Sequence, residues 1–530
     1  MTLWETIRRT SVELFGRFVR LEATRADRMF ALGLLLSTAI KLLLIVVNPL
    51  DLSPDEAHYW EWSRRLDWAY YSKGPIVALL IAASTRLLGD TDLALRLPAL
   101  FLSATLGLGT YLFLRRVARP GFALLAVALL NSGLFYGTLG IGMTTDPPLL
   151  VFWILGLWAS YEAVDRGAPQ MWLGAGFAAG LGALSKYTAA IFLPSCFLFL
   201  LLLADRATRR RHLRSTWFWG GAALFTLMIV PLATWNLRHG GVNFAHNLGH
   251  LVSGRPSSLR AAHLLELLGG QLCLVGPVLL PLFGWVFWRG WRQFRDANDP
   301  VAGLLVFTAI PLAALCLVVA LTKPVYANWP MPLYLTGAVL LGHLTRRDPH
   351  LASRLAFPAG AALLINGMVL VSGYLALPAL ASGFTFGIPP QRIALRKMAG
   401  WSQLGDRVET LLAHQDASGT PLSFVIASEY GTASLIAFYT KRHPQVLCAD
   451  FSGRRMNQYD VWGGWEAQKG QDALIVIDSE TVPKSLARRF AGVESAGGSS
   501  LEYGRAAVRT LHFFIGRKYD GSAPRRPGRY

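Results

Sequence analysis

The sequence predicts a polytopic α-helical membrane protein that carries a small soluble α/β domain at its C-terminal end. Of the 530 residues, 53% are hydrophobic and only 16% are charged, whereas about 25% of the residues of soluble domains are charged. Many apolar stretches approach the roughly 20 residues that a helix needs to cross a bilayer. From residue 378 onward the chain is less apolar, which indicates a domain outside the membrane.

The N-terminal segment, residues 1–28, is basic and amphipathic, and it lacks a short apolar core followed by a small-residue cleavage site. We therefore expect a retained cytoplasmic segment rather than a cleaved signal peptide. The net charge of +19 would suggest nucleic-acid binding in a soluble protein. Here the basic residues cluster in short loops between apolar segments, so topology explains the charge and no nucleic-acid partner is expected.

The number and length of the apolar segments predict about eleven to thirteen transmembrane helices. The assigned spans are residues 30–47, 93–114, 122–139, 149–163, 171–184, 189–203, 217–235, 264–288, 302–321, 329–344 and 355–377. The segment 75–88 is apolar but short. If this segment is an interfacial helix, nearly every basic loop lies on the cytoplasmic side. If it spans the membrane, the basic loop after residue 114 lies outside. We therefore prefer the interfacial assignment.

This topology places four polar regions on one outer face of a cytoplasmic membrane, namely residues 52–88, 140–148, 238–263 and 323–328. The predicted domains are a cytoplasmic segment 1–28, a transmembrane domain 29–377, an outer α/β domain 378–520 and a disordered tail 521–530. Within the α/β domain we expect helices at 401–413 and 431–439 and buried strands at 423–427 and 474–477. No glycine-rich phosphate loop accompanies these strands, so no nucleotide is expected.

Two adjacent acids, Asp55 and Glu56, follow the first apolar segment in the run Leu-Ser-Pro-Asp-Glu-Ala-His-Tyr-Trp, residues 52–60. Ser53 and Glu56 have the spacing of a capping box, with proline at the first helical position. An acid at a membrane surface can also take a proton from a hydroxyl group. Both interpretations hold together if Glu56 caps the helix while Asp55 faces a cavity.

Asp146 precedes two prolines, which is the ordinary pattern of a helix start. The topology nevertheless puts Asp146 on the same face as Asp55. Two acids at one outer cavity can orient an acceptor or bind a divalent cation. A metal is therefore left open as a cofactor.

Several lysines lie where apolar segments meet the predicted outer face. Lys73 follows two tyrosines, Lys323 is three residues before Tyr326, and Lys186 lies near an outer helix end. Such side chains either anchor in the lipid headgroups or bind a phosphate group. Lys41 lies inside the first span but close enough to its end to reach the headgroups, so we leave it out of the site.

The segment from Trp235 to His250 is rich in histidine and aromatic residues. His246 and His250 are four residues apart, so one helical face would bring them together as metal ligands. The alternative is that these histidines are hydrogen-bonded loop residues. His239 and His250 are also candidates for hydrogen bonds to a sugar or a phosphate.

The order of these motifs resembles the bacterial GT-C membrane glycosyltransferases of glycosyltransferase family 39, which include protein O-mannosyltransferases and lipid A aminoarabinose transferases. The resemblance covers most of the membrane part. Its marks are Asp55-Glu56, Ser72-Lys73-Gly74-Pro75, Arg96-Leu97-Pro98, Thr145-Asp146-Pro147, Leu184-Ser185-Lys186-Tyr187, Trp235-Asn236 with the histidine-rich segment, and Lys323 with Tyr326. The order of these marks along the chain and their shared outer face together carry the resemblance.

The resemblance implies a GT-C fold, a polyprenyl-phosphate sugar donor and an inverting transfer to a lipid, glycan or protein acceptor. By match, Asp55 is the general base, Glu56 its neighbour and Asp146 a second acid. The expected substrate-binding residues are Lys73, Tyr59, Arg96, Lys186, His239, His250, Lys323 and Tyr326. One departure concerns the position before Lys73, where aminoarabinose transferases look to carry an acid and this chain has Ser72. The resemblance therefore does not extend to a metal site built on such an acid or to the aminoarabinose specificity.

Two other functions fit a membrane protein of this composition. A lipid-linked sugar flippase or transporter would show charged pairs within spans and inverted repeats, and the sequence has neither feature. A non-catalytic polysaccharide assembly factor would not depend on Asp55.

Overall fold

The computed structural model describes residues 21–47, 50–251, 261–389, 393–449, 457–503 and 506–523. Only the backbone is described for residues 250, 251, 349, 352 and 353. Most of the predicted cytoplasmic segment 1–28 and of the predicted disordered tail 521–530 lies outside the described residues.

The chain divides into two compact units, and each is assembled from separate stretches of sequence. The first unit comprises Met1–Leu43, Ala99–Thr234 and Leu248–Tyr374. The second unit comprises Leu44–Pro98, Trp235–Asn247 and Leu375–Tyr530. The second unit therefore joins the first polar loop of the chain to its C-terminal part.

Helices dominate the part of the chain before the sheet. In chain order they are α1 Ala23–Val47, α2 Pro54–Arg64, α3 Ile76–Leu88, α4 Asp92–Val117, α5 Pro120–Ser132, α6 Leu134–Thr138, α7 Asp146–Asp165, α8 Met171–Ser185, α9 Phe192–Leu198, α10 Arg206–Leu213 and α11 Thr216–Arg238. They continue with α12 Val242–Leu251, α13 Ala261–Leu274, α14 Leu279–Ala297, α15 Pro300–Ala320, α16 Met331–Arg347, α17 Pro349–Arg354 and α18 Ala356–Ala381.

Six of the described helices are long and apolar enough to cross a membrane: α1, α4, α7, α11, α15 and α18. The number is seven if α13 and α14, which are bent by 102° at their junction, form one span. The other predicted spans fall on shorter elements. Gly133 is extended and separates α5 from α6, while the stretch from Tyr187 to Leu203 is broken into 3-10, α and π turns.

The first unit has a continuous apolar core, and several of the polar groups within it are hydrogen-bonded. The Trp153 indole donates a hydrogen bond to Thr336 Oγ1 at 2.9 Å, and the Tyr136 hydroxyl donates to the Met331 carbonyl at 2.7 Å. Helices α8 and α11 approach so closely that a Cβ on Gly176 would lie 2.0 Å from the Gly221 carbonyl oxygen. Only glycine permits this backbone contact.

The second unit contains a five-stranded sheet in the order β2-β1-β3-β5-β4. Its strands are β1 Phe424–Ala427, β2 Val446–Cys448, β3 Ala473–Ile477, β4 Phe490–Tyr503 and β5 Ala506–Tyr519. Strand β1 pairs in parallel with β2 and β3, whereas β5 pairs antiparallel with β3 and β4. Helices α19 Trp401–Ala417, α20 Tyr430–Tyr439, α21 Gln458–Trp462 and α22 Lys484–Ala487 accompany the sheet.

The sheet is buried where the sequence predicts strands. All residues of β1 and β3 are buried, which is why these runs are continuously apolar rather than alternating. Helices α19 and α20 lie where helices were predicted. The long hairpin of β4 and β5 was not predicted, because most residues of β4 are polar or small and exposed.

Candidate active site

Helix α2 begins with a complete capping box, as the sequence predicts. Ser53 is the N-cap and its hydroxyl accepts a hydrogen bond from the Glu56 N–H at 3.3 Å. The Glu56 carboxylate accepts from the Ser53 N–H at 2.9 Å, and Pro54 occupies the first turn. These contacts satisfy backbone donors that a helix start otherwise leaves without partners.

Glu56 is also held by a buried arginine. Arg96 Nε donates to Glu56 Oε1 at 3.0 Å, and the side chains of both residues are almost fully buried. The Arg96 guanidinium donates further to the carbonyls of Leu50 and Asp51, at 3.5 and 3.0 Å. Arg96, which the sequence resemblance assigns to substrate binding, thus fixes the chain that leads into α2.

Asp55 differs from its neighbour, because its side chain is exposed. The Tyr430 hydroxyl, at the start of α20, donates a hydrogen bond to Asp55 Oδ1 at 3.1 Å. A carboxylate in the first turn of a helix is also favoured by the helix dipole. Asp55 is therefore an oriented carboxylate that remains open to an incoming molecule.

Helix α2 is packed directly against α20. A Cβ added to Gly431 would lie only 2.8 Å from Pro54 Cβ, so the two helix starts meet at a glycine. Deeper in this contact His58 Nδ1 lies 2.9 Å from Ser434 Oγ, and burial lowers the pKa of His58 to about 3. His58 is consequently neutral at physiological pH.

A second connection lies at the other end of α20. The Tyr439 hydroxyl accepts a hydrogen bond from the Leu52 N–H at 2.6 Å and donates to Asp92 at 2.7 Å. Burial raises the pKa of the Tyr439 hydroxyl, so it remains a donor. Tyr59, a predicted substrate-binding residue, is buried, and its ring centre lies 5.0 Å from that of Trp62.

Lys73 lies in a turn whose backbone is fixed by hydrogen bonds within the turn and to Gln458 and Asn243. The Tyr70 N–H donates to the Lys73 carbonyl at 3.0 Å, and the Tyr71 N–H donates to Gln458 Oε1 at 2.6 Å. The Asn243 amide donates to the Tyr70 and Lys73 carbonyls. The Lys73 side chain itself is half-buried.

The histidine-rich segment forms the end of α11 and helix α12. His239 stacks on Trp235 with 4.0 Å between ring centres, and its Nδ1 lies 2.8 Å from the Trp235 carbonyl oxygen. The ring of His246 lies 4.6 Å from that of Tyr71. The side chain of His250 is outside the described part. Among the described residues no group of three or more His, Cys, Asp and Glu side chains is placed to hold a metal ion.

The first unit holds a separate polar cluster around Asp146, at the start of α7. Lys186 Nζ donates to Asp146 Oδ1 at 2.7 Å, and Asn328 Nδ2 donates to Asp146 Oδ2 at 2.8 Å. Asp146 and Lys186 are buried. Since Lys186 follows the end of α8 and Asn328 precedes α16, three distant segments meet at one carboxylate.

Lys323 and Tyr326 lie in the loop before α16. Lys323 Nζ donates to the Gly249 carbonyl. Tyr326 is 66% exposed, and its nearest ring contact is Trp329 at 6.4 Å between centres. Of the predicted phosphate-binding residues described here, Tyr326 is the one whose side chain is most open to a ligand.

The expectation for Lys41 is wrong. Its side chain does not reach out to the membrane surface but is buried, and Lys41 Nζ donates to Ser103 Oγ at 2.9 Å. The reason is that α4 offers a hydroxyl acceptor within reach of α1.

The structure thus distributes the predicted residues between two units. Asp55, Glu56, Tyr59, Lys73, Arg96 and His239 lie in the second unit, whereas Asp146, Lys186, Lys323 and Tyr326 lie in the first. Sequence reasoning missed Tyr430 and Asn328. Asn328 lies in the polar region 323–328 that the topology had already marked, but no local signal pointed to Tyr430.

The chain has the same fold as a membrane protein of known structure, and part of its sequence matches a family model. Residues 72–235 match the family model described as dolichyl-phosphate-mannose-protein mannosyltransferase. The chain is also similar to the crystal structures of ArnT from Cupriavidus metallidurans, in the apo state and bound to undecaprenyl phosphate. Each comparison has a TM-score of 0.57 and 17% identity, and covers 96% of this chain and 100% of the other.

Two curated relatives match a shorter part of the chain. The lipid A galacturonosyltransferase RgtD of Rhizobium johnstonii is 29% identical over 339 residues, which cover 60% of this chain and 64% of the relative. An undecaprenyl phosphate-alpha-4-amino-4-deoxy-L-arabinose arabinosyl transferase of Pseudomonas fluorescens is 26% identical over 362 residues, 62% of this chain and 60% of the relative. The match thus spans less than two thirds of these relatives' length.

Proposed function

We propose that this protein is an integral membrane glycosyltransferase that moves one sugar from a polyprenyl-phosphate donor to an acceptor, with inversion. The acceptor is a lipid, a polysaccharide or a protein at the outer face of the cytoplasmic membrane. The named relatives support this class: one is a lipid A galacturonosyltransferase, another acts with an undecaprenyl phosphate sugar, and a structural neighbour was crystallised with undecaprenyl phosphate.

The observation that carries the proposal is the contrast between Asp55 and Glu56. Glu56 is engaged by the capping box and by Arg96, and its side chain is buried. Asp55 is held at the adjacent position with its carboxylate exposed and oriented by Tyr430. A base needs this combination of fixed position and access to the acceptor hydroxyl.

The proposed step is a single displacement at the anomeric carbon. The acceptor oxygen forms a bond to that carbon while the bond from the carbon to the donor phosphate oxygen breaks. The acceptor proton passes to Asp55, and the electron pair of the broken bond leaves with the polyprenyl phosphate. Attack from the side opposite to the leaving phosphate inverts the configuration.

The leaving phosphate requires cations and hydroxyl donors. By match to the family we propose Lys73 and Tyr326 as phosphate contacts, with Lys323 as a further one, and Asp146 as the second acid. A positioned base contributes typically about 10²–10⁴-fold to the rate. Stabilising the charge on the leaving group in a water-poor site adds a term of similar or larger size.

The membrane arrangement belongs to the same proposal. We propose about eleven spans, with α3 lying in the interface. Asp55, Lys73, Asp146 and the sheet then face the outer side, because the basic loops remain cytoplasmic. The 378–520 domain is proposed to bind the acceptor or to cover the site, and transfer that persists in vitro without these residues would contradict this role.

The experiment is mass spectrometry of surface lipids and glycans from cells with the wild-type protein, with a gene deletion, and with Asp55→Asn. A sugar mass that is lost in the deletion and is not restored by Asp55→Asn supports the transferase and identifies its product. Asp406→Asn, an exposed acid of the same unit, is the control. Full restoration by Asp55→Asn would show that Asp55 is only a helix-start residue and would favour the flippase or assembly-factor alternatives.

A further inference from the structure

The second unit contains a cavity of about 700 Å³ that none of the predicted site residues lines. Its volume lies within the range of about 300–1,000 Å³ that small-molecule sites occupy. The lining comes from Pro54, the loop before α19, the start of α20, the end of β3 and the hairpin of β4 and β5. The lining therefore combines helix starts, loops and the hairpin of the second unit.

The position of the cavity follows from the strand order. Strand β1 lies between β2 and β3, and all three are parallel. The chain leaves β1 through α20 toward β2, while it leaves β3 toward the hairpin on the other side. Ser428 and Glu429 directly follow β1, Asp478 directly follows β3, and all three line the cavity. In open α/β sheets, ligands bind at such a reversal of the strand order, outside the carboxyl ends of the strands.

The charges around the cavity favour an anion. Three cationic side chains, Arg396, Lys397 and Arg509, face two acids, Glu429 and Asp478. One of these acids is already neutralised, since Arg509 Nη1 lies 2.9 Å from Glu429 Oε2. With three cations and two acids, the lining carries a formal excess of one positive charge.

The individual cations differ in how firmly they are held. Arg509 also donates to Thr432 Oγ1 at 3.1 Å and lies 5.9 Å from the centre of the Trp401 ring. The ammonium group of Lys397 is exposed and makes no ion pair with another residue of the described chain. In addition, the first turn of α20 has no side-chain cap, so its N–H dipoles add to the positive potential.

We propose that this cavity binds a phosphate or carboxylate group on a sugar of the acceptor. The inference rests on the proposed transferase function and names the class of its acceptor as an anionic glycan or glycolipid. Tyr430 connects the cavity to the proposed base, because Tyr430 lines the cavity and its hydroxyl donates a hydrogen bond to Asp55. An acceptor anchored by its anion therefore lies beside the proposed base, which positions a neighbouring hydroxyl for deprotonation.

The test measures binding without any donor, so it does not depend on transfer. The full chain in detergent is titrated with glucose 1-phosphate, glucuronate and glucose, and the unfolding temperature is followed. We expect the sugar phosphate, the sugar acid or both to raise this temperature, and glucose to leave it unchanged. Stabilisation by the phosphate alone assigns a phosphorylated acceptor, and stabilisation by glucuronate alone assigns a carboxylated one.

The variant Arg396→Gln/Lys397→Gln should weaken this binding by about tenfold or more, because charge-assisted hydrogen bonds are lost. Lys484→Gln/Arg488→Gln removes the same charge from exposed residues of α22 and its end, outside the cavity lining. It should bind as the wild type does.

Three results overturn the proposal: equal stabilisation by glucose, undiminished binding by the cavity variant, or stabilisation by phosphatidylglycerol micelles but by neither sugar anion. Loss of cellular transfer in Asp55→Asn with intact anion binding supports both proposals. Anion binding in a protein whose deletion removes no sugar overturns the transferase assignment alone.

Discussion

Glu56 and Arg96, forty residues apart in the sequence, form a buried ion pair with 3.0 Å between Oε1 and Nε. Removing one partner of such a pair leaves the other charge buried without compensation, which costs about 3–5 kcal/mol. We expect Glu56→Ala to lower the free energy of unfolding by that amount. Glu409→Ala breaks the more exposed pair with Arg442 and should cost about 0–1 kcal/mol. Thermal unfolding in detergent measures both, and equal losses would contradict the structural role of Glu56.

Tyr430→Phe should reduce transfer by about tenfold with little change in stability. The substitution removes the hydrogen bond that orients the Asp55 carboxylate. Both residues are exposed, so water can replace the lost donor and the fold loses little stability. A tenfold lower rate corresponds to about 1.4 kcal/mol of transition-state stabilisation. Initial transfer rates with a lipid-linked donor provide the measurement. Tyr326→Phe tests the other tyrosine of the proposal, which acts on the phosphate rather than on the base. Full activity of Tyr430→Phe would show that transfer does not depend on the hydrogen bond from Tyr430 to Asp55.

The Asp146 cluster predicts strong coupling between two substitutions. Lys186→Met leaves the Asp146 carboxylate buried with only Asn328 as a side-chain partner. We expect a loss of about 3–5 kcal/mol in the free energy of unfolding, and the double variant Lys186→Met/Asp146→Leu should lose less than the single variant. A double-mutant cycle of unfolding midpoints measures this difference. Additive losses would show that the two side chains do not interact.

His58 makes stability depend on pH in a defined direction. Burial lowers its pKa from 6.5 to about 3, so the unfolded chain takes up a proton below pH 6.5 while the folded chain does not. Above pH 6.5 both states hold His58 neutral and it costs no stability. Below pH 6.5 the free energy of unfolding decreases by up to about 1.4 kcal/mol per pH unit until the pH approaches 3.

His58→Gln should therefore flatten the decrease in unfolding temperature between pH 7 and pH 4. His414→Gln, at an exposed histidine of α19, should keep the slope of the wild type. Identical slopes in the wild type and His58→Gln would contradict a neutral buried His58.

Gly431→Ala tests the contact between α2 and α20. The added methyl group would meet Pro54 Cβ at 2.8 Å, and the proline ring cannot rotate away. We expect a loss of about 1–3 kcal/mol in the free energy of unfolding, together with reduced transfer because Asp55 follows Pro54. Gly492→Ala, which meets nothing within 4 Å, is the matched control. If both variants behave alike, the two helices are not closely packed.

Local chemistry made the capping box predictable, because its contacts join residues only three positions apart. The same holds for β1 and β3, whose apolar runs report burial directly. The different positions of Asp55 and Glu56 could be predicted from the capping-box pattern. Their partners could not, since Arg96 lies 40 residues from Glu56 and Tyr430 lies 375 residues from Asp55.

The breaks within the predicted spans could not be predicted from the sequence. An apolar run does not reveal that Gly133 interrupts a helix or that 3-10 and π turns follow Lys186. Hydropathy reports the surroundings of a segment, while the backbone path depends on packing against neighbouring elements.

The hydrogen bond between the Leu52 N–H and the Tyr439 hydroxyl spans 387 residues. At roughly 5–20 residues per second, the ribosome needs on the order of 20–80 s to make the intervening chain. During that interval the aromatic residues of α2 have been synthesised but the helix that will bury them has not. The contacts between the first polar loop and α20 therefore form only late in synthesis. A chain that stops before residue 439 lacks the Tyr439 hydroxyl that binds the Leu52 N–H.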